Sequence, residues 1–156
     1  MFKPSILVHT ATALLFSATA FPVLTFAQNQ TYNEWDGNVR QKLEAVTTVL
    51  NLGYDARSSY EPFRGMLRNN TYTDVTYTLR GGIPYALIGV CDDDCSDLDL
   101  TLYDRNYNLI DSDTAPDNTP VIRVKPMWTD VFHVRVTMSR CTRSPCWYGI
   151  GEFEPH

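Results

Sequence analysis

The feature that most limits what this chain can become is a change of period. From Thr71 onward apolar residues recur at every second position, the spacing of a strand with one buried face and one wet face. Val75, Tyr77 and Leu79 alternate with Thr76, Thr78 and Arg80, and the pair Gly81-Gly82 breaks the run. Leu98, Leu100 and Leu102 alternate with Asp97, Asp99 and Thr101. Phe132, Val134, Val136 and Met138 alternate with His133, Arg135 and Thr137. Tyr85 to Val90 reads as a more fully apolar strand, and Tyr107 to Ile110 as a return strand after the turn Asp104-Arg105-Asn106. Val121 to Val124 follows the one long polar loop, Asp111 to Pro120, and Cys146 to Phe153 is the last strand. Short strands with turn signals between them predict an all-β fold, a jelly-roll-like β-sandwich of about seven to eight antiparallel strands.

A different pattern precedes the strands. Thr31-Tyr32-Asn33-Glu34 fits a capping box, Val39, Leu43, Val46 and Leu50 lie on one helical face with Val49 beside them, and Asn51-Leu52-Gly53 supplies a stop. This predicts one amphipathic α-helix of about four to five turns. Its stripe is no wider than an ordinary core-facing face, so the expected partner is the sandwich that follows rather than another protein. From Tyr54 to Asn70 the pattern dissolves into a connector, held by Tyr60, Phe63 and Met66, with a short helical turn near Arg64 to Arg68.

The first residues read as a signal peptide: Lys3, an apolar run from Ser5 through Phe21, and small residues Thr25 and Ala27 at the exit. The expected organisation is therefore a signal peptide over 1–27, helix and connector over 28–70, and the sandwich domain over 71–156. Cleavage after Ala27 takes 27 residues from 156 and leaves 129; the basic count falls from 13 to 12 against 18 acidic residues, a formal net charge of −6. That balance argues against nucleic acid or an anionic membrane as partner. No second long apolar segment follows, so the cleaved product is expected not to span a membrane and to be exported, periplasmic or extracellular.

Four cysteines, Cys91, Cys95, Cys141 and Cys146, lie in the exported part, and an even count there reads as two disulfides with three pairings open. The local pairs Cys91–Cys95 and Cys141–Cys146 are expected. Zinc is the competing reading, against which stand gaps of three and four residues and the absence of a flanking His. A Cys91–Cys95 bridge needs Cα atoms within about 7 Å, whereas an extended strand holds them roughly 13 Å apart, so it forces Asp92 to Asp94 into a tight turn. Crowded carboxylates suit a hard cation, and calcium is the expected ion, with Asp92, Asp94, Asp97, Asp99 and Asp113 as its ligands. An EF-hand pattern is missing, and no other cofactor is indicated.

The catalytic inventory is thin. His133 is the one internal histidine after cleavage, it falls mid-strand, and no Gly-x-Ser-x-Gly nucleophile motif is present. The chain is therefore read as a non-enzyme with a binding or structural role, the alternative being a small secreted hydrolase of unrecognised type. Tyr103, Tyr107, Trp128, Trp147 and Tyr148 could line a face for an extracellular protein or glycan, and Tyr103 and Trp128 are the ligand-binding candidates.

One resemblance covers Thr71 to Phe153. Leu79, Gly81, Tyr85, Gly89-Val90-Cys91-Asp92, Asp97-Leu98-Asp99-Leu100-Thr101-Leu102-Tyr103-Asp104, Asp113, Pro120 and Phe132-His133-Val134 together resemble the bacterial pre-peptidase C-terminal domain. The Asp97-Leu98-Asp99-Leu100 strand is the most specific part. The resemblance implies a β-sandwich module of exported proteins, commonly appended to secreted peptidases. Some members bind calcium or extracellular matrix protein, and others assist secretion or folding of a neighbouring enzyme. Here a helix and connector stand where a peptidase would precede the module.

Overall fold

A computed structural model describes residues 39, 41–49 and 62–154. The expected signal peptide, the Thr31 cap and the Gly53 stop lie outside the described residues, as do Leu50 and Tyr60. A helix, α1, covers residue 39 and residues 41–49. Eight strands follow: β1 (Phe63–Leu67), β2 (Thr71–Leu79), β3 (Tyr85–Cys91), β4 (Cys95–Tyr103), β5 (Leu109–Asp113), β6 (Val121–Val124), β7 (Asp130–Cys141) and β8 (Cys146–Phe153). They form two four-stranded sheets of order β1-β8-β3-β6 and β2-β7-β4-β5. All neighbours are antiparallel, and this double Greek-key order is that of a jelly roll.

Alternation builds the core. Val75 and Leu79 of β2, Leu98, Leu100 and Leu102 of β4, and Phe132, Val134, Val136 and Met138 of β7 face Leu87, Ile122, Tyr148 and Ile150 of the other sheet. The more apolar β3 has every residue buried, and α1 explains why. One face of β3 joins the inter-sheet core, while Ala86, Ile88 and Val90 on the other face lie with Phe153 under Val39 and Leu43 of the helix. The helix thus docks on the sandwich. Burying Val39 and Leu43 supplies at most about 1.5–3 kcal/mol each. Val49, by contrast, is exposed.

Three expectations need correction. Residues 63–67 are a strand and not a helical turn, because β8 offers them a ladder from Phe63↔Ile150 to Leu67↔Cys146. Gly65 sits opposite Tyr148, whose hydroxyl would stand 2.7 Å from a Cβ there, so the close approach requires glycine. Met66, expected to hold the connector, is exposed, while Phe63 stacks on Tyr148 at 6.3 Å. The return strand starts at Leu109 and not at Tyr107, which adopts φ 62° in the preceding turn. Asp104 lengthens that turn: its carboxylate accepts from the amides of Asn106 and Asn108, both at 2.8 Å, and from the Asn108 side chain at 2.7 Å. Asp111 to Asp113 consequently belong to β5, and the polar loop shrinks to 114–120.

Candidate functional site

Two surfaces carry the polar chemistry. The first is the expected cation site where β3 turns into β4. The Cys91 and Cys95 sulfurs are bonded, with Cα atoms 5.9 Å apart, and Cys141 and Cys146 close the β7–β8 turn with the same Cα separation. Cys95 and Cys141 are register partners across β4 and β7, so the two clips lie side by side. Asp94 carbonyl accepts from Thr142 amide at 2.8 Å and Thr142 hydroxyl at 2.9 Å, tying one turn to the other. Lys42 of α1 donates to the Cys91 carbonyl at 2.8 Å and to the Asp93 carboxylate at 3.0 Å.

The five expected calcium ligands do not converge. Asp92 accepts from the Trp147 amide at 2.8 Å, Asp99 accepts from the Ser139 hydroxyl, and Asp113 accepts from the amides of Ala115 at 3.2 Å and Val121 at 2.8 Å. Asp94 lies 3.7 Å from the Arg143 guanidinium. Among the described residues no three His, Cys, Asp or Glu side chains gather in a way that could hold a metal ion. Burial raises the Asp92 and Asp97 carboxyls above the usual carboxylate range, Asp97 being pushed further by Asp99. One oxygen of each, Asp92 Oδ1 and Asp97 Oδ1, is buried without a hydrogen-bond partner.

The second surface is the outer face of the β2-β7-β4-β5 sheet. Register places Asp74 beside Arg135 on β7, Thr101 of β4 beside the same Arg135, and Thr76 and Tyr103 on either side of His133. Arg135 binds Asp74 through two bonds, Nε–Oδ1 at 2.8 Å and a second nitrogen to Oδ2 at 3.1 Å. Its guanidinium also lies over Tyr72 at 4.2 Å and Tyr103 at 5.2 Å. Tyr107 folds back from its turn onto the sheet. Its ring lies 4.3 Å from His133 and nearly parallel, and 5.9 Å from Tyr103. The Arg135 bond holds the Asp74 carboxyl below the usual range, with help from the Tyr107 hydroxyl. Asn108 does the same for Asp104.

This face is an ordered plate of rings around a neutralised ion pair. Tyr72 is 59% exposed and Tyr107 51%, so both present ring surface to solvent. Of the expected ligand-binding pair only Tyr103 belongs to the plate. Trp128 projects from the β6–β7 turn instead, and Tyr148 lies in the core, since its strand position alternates inward with Cys146 and Ile150. Tyr72 and Arg135 carried no separate signal; the alternation that turns His133, Arg135 and Thr137 away from the core was the available clue. Cross-strand register supplied the rest.

No protein-family model matches the chain, and no curated protein is similar to it in sequence. Among solved structures it is similar to the pre-peptidase C-terminal domain of collagenase from Bacillus anthracis, at 11% identity and a TM-score of 0.44, covering 58% of this chain and 86% of that one.

Proposed function

We propose that the chain is an exported, non-catalytic β-sandwich module of the pre-peptidase C-terminal kind that binds a glycan through the outer face of its second sheet. Export is supported by the signal-peptide pattern and by two clipped turns, which persist in oxidising compartments. The observation that carries the binding reading is the plate of Tyr72, Tyr103, Tyr107 and His133 fixed around Asp74–Arg135. Sugar rings stack on flat aromatic surface, and the ion pair with Thr76, Thr101 and Thr137 offers hydroxyl-matching donors and acceptors. The rings are held by mutual contacts, so little side-chain entropy remains to be lost on binding.

Immobilised glycans and matrix proteins, probed with the processed protein, test this reading. Glycan retention that falls about ten-fold in Tyr72→Ala/Tyr107→Ala and persists in Trp128→Ala is expected. Retention only by matrix protein, or equal retention of both variants, refutes it. The hydrolase alternative finds His133 within the electrostatic reach of Asp74 and Asp104, but on an open sheet face beneath Tyr107. Calcium enters the proposal only through the buried, unpartnered oxygens of Asp92 and Asp97. A rise in melting temperature at millimolar calcium that is lost in Asp97→Asn is the expected sign, and no rise removes calcium from the reading.

A further inference from the structure

The β6–β7 turn holds two large apolar side chains in water for no reason of folding. Met127 is 85% exposed and its neighbour Trp128 65%. The backbone beneath them is fixed. Pro126 is buried and its carbonyl accepts from Gly82 at 2.7 Å, Thr129 hydroxyl accepts from the Gly81 amide at 3.0 Å, and the Trp128 backbone packs directly on Gly81. The turn is thus a rigid base with an apolar tip.

Two exposed cations stand beside the tip, and the acidic turn lies far from it. The β2–β3, β4–β5 and β6–β7 connections share one end of the sandwich, and the β3–β4 acidic turn lies at the other. Lys125 and Arg123 are exposed beside the tip. Arg105 reaches Asp130 at 3.6 Å at the foot of the turn, and Arg80 pairs with Glu154 at 2.5 Å next to Gly81. Each of these arginines is offset by a carboxylate, so among the described residues at this end Arg123 and Lys125 are the cations left to meet anionic lipid. The formal charge of −6 expected after cleavage opposes an anionic surface, but its densest cluster, Asp92, Asp93 and Asp94, lies at the far end, while at the tip's end Asp130 and Glu154 are each paired with an arginine.

We infer that the Met127–Trp128 tip is an interfacial anchor that seats this end of the sandwich on a lipid bilayer. Two side chains cover far less than the roughly 800 Å² that each partner gives to a stable protein interface. They match what a headgroup region accepts: a Trp at headgroup depth, a flexible thioether beside it and cations toward anionic lipid. The acidic end then points away from the surface.

The test uses the protein recovered after export, with vesicles of three parts phosphatidylcholine to one part phosphatidylglycerol. In a Trp35→Phe/Trp147→Phe background, Trp128 emission should shift to shorter wavelength and be quenched by brominated acyl chains. Met127→Ser/Trp128→Ser should lower partitioning about ten-fold with an unchanged melting temperature, and pure phosphatidylcholine should bind more weakly. Absent binding, binding with Trp128 unquenched, equal partitioning of the serine variant, or equal partitioning to both lipid mixtures overturns the inference. So does a tip-dependent retention on protein or glycan without vesicle binding.

Discussion

Replacing Gly81 by Ala, with Gly82 as its control, tests how the β2–β3 and β6–β7 turns hold one another. A Cβ at Gly81 would stand 2.5 Å from the Trp128 Cα, 2.8 Å from its carbonyl carbon and 2.9 Å from the Thr129 nitrogen, all backbone atoms. Ordinary carbon contacts lie near 3.5–4 Å, so the facing turn must retreat by about 1 Å. No rotamer change can absorb that. Overpacking of this kind costs about 1–3 kcal/mol, and the retreat also weakens the Gly81 and Gly82 amide bonds to Thr129 and Pro126, adding about 1 kcal/mol. Gly81→Ala should therefore lose about 2–4 kcal/mol, roughly 10–20 °C in melting temperature for a domain of this size. At Gly82 a Cβ meets nothing within 4 Å, and only its φ of +78° opposes alanine. That costs about 1 kcal/mol, near 5 °C. Circular dichroism melts of both variants decide the matter. Equal loss in the two, or less than about 1 kcal/mol at Gly81, would show that the turns do not press together.

The remaining predictions concern one titration and one docking contact. Burial, with the Glu154 charge second and Arg80 opposing, pushes the Glu152 carboxyl up to about 7 from 4.5. The folded state thus holds this proton more tightly, so the contribution of Glu152 to stability is complete below pH 4.5 and is lost as pH rises to about 7, by about 1–3 kcal/mol after allowance for solvent. Glu152→Gln should melt higher than the parent at pH 8 and alike at pH 4; a difference between the two that stays constant or reverses over that interval would contradict the sign. Leu43→Ala should cost about 2–4 kcal/mol and raise binding of a hydrophobic dye by opening the outer face of β3. A change below about 0.5 kcal/mol would mean that α1 does not cover that face.

The layers were legible because period carries them. Leu98, Leu100 and Leu102 announced one buried face, and the unbroken apolar run Tyr85 to Val90 announced a strand with two, though not what covers the second. β1 was hidden because five residues centred on Gly65 show no alternation, and its strand character comes from the β8 ladder. Tyr107 misled because a side chain suited to a strand sits at a left-handed position created by Asp104 four residues before Asn108. The acidic run suggested one shared site, yet each of Asp92, Asp99 and Asp113 is claimed by a nearby amide or hydroxyl. The aromatic plate depends on which residue of β2 meets which residue of β7, a fact that no single strand states.

The double burial of β3 has a bearing on biogenesis. Until its outer face is capped, Ala86, Ile88 and Val90 form an adhesive strip of the sort that draws nascent chains together. The cap, α1, comes before β3 in the chain, whereas β8, the neighbour that completes the platform, comes last. A chain made from its N-terminus therefore presents the cover before the surface that needs covering, and the interval of risk lasts only until the final strand arrives.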